Sequence, residues 1–155
     1  MKRGLARLAG LLFVCFLSGC SVGEEREKEQ AEQTAIDFSR KVLTMKDRET
    51  DTDIGGMEHA TPEVQEILKE RFGNLDRLRE SVKGGQRLPE VTDVKIFETQ
   101  QVRDNESGYL VNVQIEYNPV REVYVSRLGL KVIKVQDVWL IDDIRFGEFM
   151  KVTQK

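Results

Sequence analysis

Few side chains in this 155-residue chain are of a type that does covalent or metal chemistry. Cys15 and Cys20 carry its thiols, His59 is its one imidazole, and Asp142 and Asp143 stand side by side in an otherwise apolar segment. A thiol, through its thiolate, is the strongest nucleophile of this set. A single His without further His or Cys cannot assemble a transition-metal site from the familiar ligands. Asp47, Asp51 and Asp53 lie close together, but Asp51-Thr52-Asp53-Ile54-Gly55 lacks the further ligands and the distal bidentate Glu of a calcium loop. Gly55-Gly56 and Gly84-Gly85 lack the residues that make a phosphate loop or a nucleophile elbow. No metal and no cofactor is expected on these grounds.

The surroundings of Cys20 are more specific. Lys2, Arg3 and Arg7 precede an uninterrupted small-and-apolar run from Leu8 to Leu17, and no acid occurs before Glu24. This is the charged and apolar order of an export signal. The run is about a dozen residues, against roughly 20 for a helix that spans a bilayer, so a permanent transmembrane helix is not expected. It closes on Leu17-Ser18-Gly19-Cys20, which resembles the bacterial lipobox: Leu, two small residues, then Cys. The resemblance implies cleavage between Gly19 and Cys20 and a diacylglyceryl thioether on Cys20, with further acylation by a fatty acid such as palmitate. Two or more chains anchor lastingly where one is marginal. The implied place is the extracytoplasmic face of the cell membrane. In a Gram-negative host the outer membrane would be favoured, because Ser21 is not the Asp associated with inner-membrane retention.

Cleavage there leaves residues 20–155, a length expected for one domain. Loss of Lys2, Arg3 and Arg7 takes 24 basic residues to 21 against 27 acidic, so the formal charge moves from −3 to −6. A chain this acidic has no general attraction for nucleic acid. Cys15 departs with the signal and Cys20 is consumed by lipid, so no thiol remains for a disulfide.

Residues 20–30 form a charged tether or the first turns of a helix, and residues 31–150 form the domain. Ala31, Ala35, Phe38, Val42 and Met45 recur at helical spacing, with Ile36 and Leu43 on the flank. Thr61-Pro62-Glu63 reads as a helix start, with Thr61 as cap. A stripe through Val64, Ile67, Leu68, Phe72, Leu75 and Leu78 continues to about Val82, breakable at Gly73-Asn74. Beyond Pro89 the period becomes two. Strands are predicted over 91–103, from Tyr109 to Tyr117, over 121–135 with a bulge or bend at Gly129, and over 138–146 after a tight turn at Gln136-Asp137. In the second, Tyr109, Val111, Val113, Ile115 and Tyr117 share one face, and Asn112, Gln114 and Glu116 share a wet one. Helices followed by hairpin-linked strands indicate an α+β domain, helices packed on a four-stranded antiparallel sheet.

That order, with the Phe38/Val42 helix, the long strand through Gly129 and the ending Val138-Trp139-Leu140-Ile141-Asp142-Asp143-Ile144, resembles the NTF2-like (cystatin-like α+β) superfamily. The resemblance implies a bent sheet curled around the helices as a cone. It also implies a non-enzymatic role, since exported lipidated members are often of that kind and some resemble assembly subunits of conjugation channels. Catalytic members place an acid inside the cone. Strict alternation would put Asp142 beside Leu140 and Ile144, and an acid so surrounded has a raised pKa suited to a general base. A bulge at Asp142-Asp143 would instead turn both acids outward and align Trp139, Ile141 and Ile144 inward. Tyr109, Tyr117 and Tyr124 fill the core or, with Asp142, line a pocket. The expected function is a membrane-anchored, non-catalytic binding or assembly module with an envelope protein as partner. The alternatives are a small-molecule binder or isomerase- or hydratase-like enzyme using the cone, and a conjugation or exclusion factor of a mobile element.

Overall fold

A computed structural model describes residues 5–44, 50–74, 76, 90–102, 108–118, 123–148 and 150–152. The chain divides into compact units at Gln30/Ala31. Helix α1 runs Leu5–Leu43. In the first unit the side chains from Val22 to Gln30 are exposed, Glu27 alone being half-buried. The charged stretch is thus helical, and the spacing Glu24…Lys28 is the one at which opposite charges support a helix. The helix ends at Leu43; Met45, expected to close its stripe, lies outside the described residues.

In the second unit, α1 buries Ala31, Ala35, Phe38 and Val42, the stripe that the spacing predicts. Helix α2 is Pro62–Phe72, with Val64, Leu68 and Phe72 buried. It ends at the break that Gly73-Asn74 allows, the Gly73 amide donating to the Lys69 carbonyl at 2.7 Å, and Asp76 is helical again. A Cβ at Gly73 would collide with that same carbonyl. Leu75, Leu78, Val82 and Gly84-Gly85 lie outside the described residues. Thr61 holds the N-cap position without a side-chain cap bond. Its amide donates instead to the Ile141 carbonyl at 2.9 Å.

Strands β1 (Glu90–Val102), β2 (Gly108–Asn118), β3 (Val123–Val135) and β4 (Val138–Phe146) form an antiparallel sheet in chain order. A short β5 (Met150–Val152), which no period-two pattern announces, pairs with the start of β3. The domain is therefore α+β, with two helices packed on a four-stranded antiparallel sheet that carries this extra edge piece. Gln136 and Asp137 take φ of 49° and 66° at the β3–β4 turn, the left-handed pair that matches hairpin twist. The register passes unbroken through Gly129, which faces Asn112 on β2 and Arg145 on β4. The glycine makes room for a neighbour instead, since its Cβ would lie 3.1 Å from Asn112 Oδ1.

The inward row of β2 joins Val94, Leu128, Leu130, Val132, Trp139, Ile141 and Ile144 in one core with both helices. The connector between α1 and α2, which includes a 3-10 turn at Met57–His59, closes over α1. Ile54 and Ala60 are buried within it. Gly56 has φ +82°, and a Cβ there would lie 3.0 Å from Val42 Cγ2 and 3.3 Å from the Phe38 ring. Gly56→Ala therefore adds backbone strain and a steric contact together, and should lower stability by about 1–3 kcal/mol. Gly23, in open space on α1, has nothing for a Cβ to meet, so Gly23→Ala should leave stability unchanged or raise it slightly. Thermal unfolding of the two variants checks both.

Candidate functional site

Gly19 and Cys20 fall within α1. Among the described residues, no helix is long and apolar enough to cross a membrane.

Asp142 occupies a bulge. Lys131 pairs with Asp143 and Val132 with Ile141, leaving Asp142 as the extra residue of β4. Trp139, Ile141 and Ile144 are buried, while both acids are half-buried on the face opposite the helices. There Asp142 Oδ2 accepts a 2.7 Å bond from Lys131 Nζ. An extra residue is what lets apolar neighbours on both sides of the acids point inward.

Tyr109 and Tyr117 point inward from opposite ends of β2, about 26 Å apart at ~3.3 Å per residue. The Tyr109 ring centroid is 5.7 Å from that of Trp139. The Tyr117 hydroxyl lies 3.0 Å from Ser126 Oγ. Burial pushes the Tyr117 phenol above its ordinary pKa, against a smaller downward pull from Ser126. The sheet thus separates the tyrosines from each other and from Asp142. The side chain of Tyr124 lies outside the described residues.

His59 has neighbours that spacing does not reveal. Its Nε2 is 3.3 Å from Lys41 Nζ, and the same ammonium pairs with Glu58. The Lys41 hydrogen bond is the main reason that the Glu58 carboxyl is held below its ordinary range. This group ties the end of α1 to the connector at the surface. Asp51 and Asp53 are exposed, and among the described residues no three His, Cys, Asp or Glu side chains gather as a metal site.

The outer face of the sheet carries a ladder of matched charges. Lys95 Nζ reaches Asp93 at 2.9 Å and Glu116 at 3.0 Å, and Arg145 pairs with Asp143 at 3.3 Å. The Arg127 guanidinium lies 3.8 Å from the centroid of the exposed Phe97 ring. Phe97 reaches that face as the extra residue of a bulge in β1. Lys131, the partner of Asp142, was hidden from a sequence reading because only register reveals it. Its outward direction alone followed from the apolar Leu130 and Val132 on either side. The chain matches no family model, no curated protein and no solved structure.

Ser39 Oγ and Thr61 Oγ1 are buried without a hydrogen-bond partner among the described residues. A buried unmet hydroxyl costs about 1–3 kcal/mol, so Ser39→Ala should leave stability unchanged or raise it. A loss above about 1 kcal/mol in chemical denaturation would reveal a bond that Ser39 makes. Tyr117→Phe should cost about 1–3 kcal/mol, because it strands Ser126 Oγ in the core.

The acid side of the stability profile has a definite sign. Glu58 has a depressed folded pKa, so its contribution is complete above the ordinary glutamate value. That contribution disappears as pH falls through the folded one. Both partners are well exposed, which limits the pair to under about 1 kcal/mol. Lys41→Met should therefore unfold at a lower temperature than the parent at neutral pH, with the gap closing on acidification and in high salt.

Proposed function

We propose that the chain is a bacterial lipoprotein, held by lipid on Cys20 at the outer side of the cell membrane. Its domain would serve there as a non-catalytic binding or assembly module. The observation that carries this reading is the ordered coincidence of Lys2, Arg3 and Arg7, the apolar run, and Leu17-Ser18-Gly19-Cys20. The side chains with catalytic potential support the second half of the reading by their separation. Asp142 is tied to Lys131 on the outer face, and Tyr109 and Tyr117 are committed to core contacts. An acid, a base and a binding concavity are not assembled from these residues. Catalysis requires such groups to converge.

We also read the domain as NTF2-like. Two helices on one face of an antiparallel sheet, the long β3 and the closing β4 agree with that fold family. Fold alone carries no activity, and the proposed role rests on the anchor and on the exposed face of the sheet.

Cells expressing the full chain and fed labelled palmitate should yield a labelled protein that partitions with membranes. Cys20→Ala should lose the label and the membrane together, while keeping the circular dichroism of the parent domain. A Cys20→Ala chain that stays fully in the membrane fraction overturns the anchor.

A further inference from the structure

Gly129 leaves a gap among the side chains of the outer sheet face. Its neighbours there are Arg127 and Lys131 along β3, each about 7 Å away, with Asn112 of β2 and Arg145 of β4 directly opposite. A Cβ built on Gly129 would meet Asn112 Oδ1 at 3.1 Å and Arg145 Cβ at 3.8 Å. Gly129 itself is half-exposed, so the floor of this dip is backbone open to water. Three of its four walls are cations.

Two of those cations are matched. Lys131 Nζ lies 2.7 Å from Asp142 and Arg145 Nε lies 3.3 Å from Asp143, the acids that the β4 bulge turns outward. Arg127 has no acid partner among the described residues. Its guanidinium lies over the exposed Phe97 ring, 3.8 Å from the centroid. That contact occupies the flat face of the fork and leaves the in-plane N–H donors open. It also holds the side chain in place, so less freedom is lost when a partner arrives. Gln114 stands directly opposite Arg127 on β2 and adds an amide to the same face.

Charge and depth name the occupant. Three cations against two acids leave one positive charge at the dip. Beyond it the face is acidic: Glu98 lies past Asn112 on β1, and Lys95 is shared by Asp93 and Glu116. That balance suits one negative charge and disfavours a phosphate dianion or a polyanion. A guanidinium fork matches a carboxylate with two parallel hydrogen bonds. Small-molecule sites cover most of their ligand's surface, and a dip one side chain deep does not. The carboxylate must therefore arrive on a larger body.

We propose that the Gly129 dip receives an acidic side chain, Asp or Glu, of a protein partner, and that Arg127 binds its carboxylate. This deepens the binding-module reading and rests on it, but it does not require the lipid. The full chain in detergent micelles is titrated with a short capped peptide carrying one glutamate among alanines. Nuclear magnetic resonance reads the Gly129 amide and the Arg127 Nε–H. Both signals should move saturably, and the same peptide with glutamine should move neither. Arg127→Gln should weaken binding about tenfold or more, the loss expected for a hydrogen-bonded charge pair. Gly129→Val fills the dip with a residue that strands favour, and should abolish binding with circular dichroism unchanged. Equal shifts from the glutamine peptide, no saturable shift, or unchanged affinity in either variant overturns the proposal. Tighter binding of inorganic phosphate, or an equal affinity for acetate, overturns it as well. Cys20→Ala chains should bind the peptide as the parent does, so a failed anchor and a failed carboxylate site give different results.

Discussion

The inward row of β2 constrains the rest of the domain. Tyr109, Val111, Val113, Ile115 and Tyr117 are all buried, on a strand paired along both edges. Each large apolar side chain of this kind gains about 1.5–3 kcal/mol from burial. A one-residue slip would exchange the row for Leu110, Asn112, Gln114 and Glu116, burying a carboxylate and two amides without partners. The pairing of β1 and β3 with β2 is therefore fixed. Ala31, Ala35, Phe38 and Val42 of α1 pack into the same core as this row. Thr99 reinforces the arrangement by donating to Glu32 of α1 at 2.6 Å.

The two faces of the sheet have different physics. Among the described residues, the fully buried polar side chains are Ser39, Thr61 and Ser126, the last beside the Tyr117 hydroxyl. The outer face pairs charges both along a strand, as in Asp93–Lys95 and Asp143–Arg145, and across strands, as in Lys95–Glu116 and Lys131–Asp142, and such exposed pairs contribute little to stability.

Much of this was legible in the sequence because periodicity reports burial directly. The α1 stripe, the β2 alternation, the Gln136-Asp137 turn and the extent of β4 follow from residue type and spacing. For Asp142-Asp143 the sequence left two readings, strict alternation with Asp142 inward or a bulge with both acids outward, and the structure shows the bulge. Register was hidden, because it depends on which strand lies opposite. The bulges at Thr92 and Phe97, the Lys131–Asp142 pair and the unbroken pairing at Gly129 all belong to register. The short β5 holds too few residues to show a period. The 3-10 turn depends on Gly56 packing against Phe38, a contact between segments far apart in sequence. Helicity in the charged run was ambiguous because solvated tethers and surface helices share a composition.

The bulge at Asp142 also bears on how the chain can change over evolutionary time. Ile141 and Asp143 already face neighbouring residues of β3, Val132 and Lys131. Removing the residue between them would leave every inward side chain of β4 on its present face. Most positions in a sheet forbid a change of length, because a single insertion inverts everything that follows. Here the strand contains a joint where one residue can enter or leave the lineage without disturbing the core. Homologues differing by one residue at this point would be the same fold, read with or without its spare link.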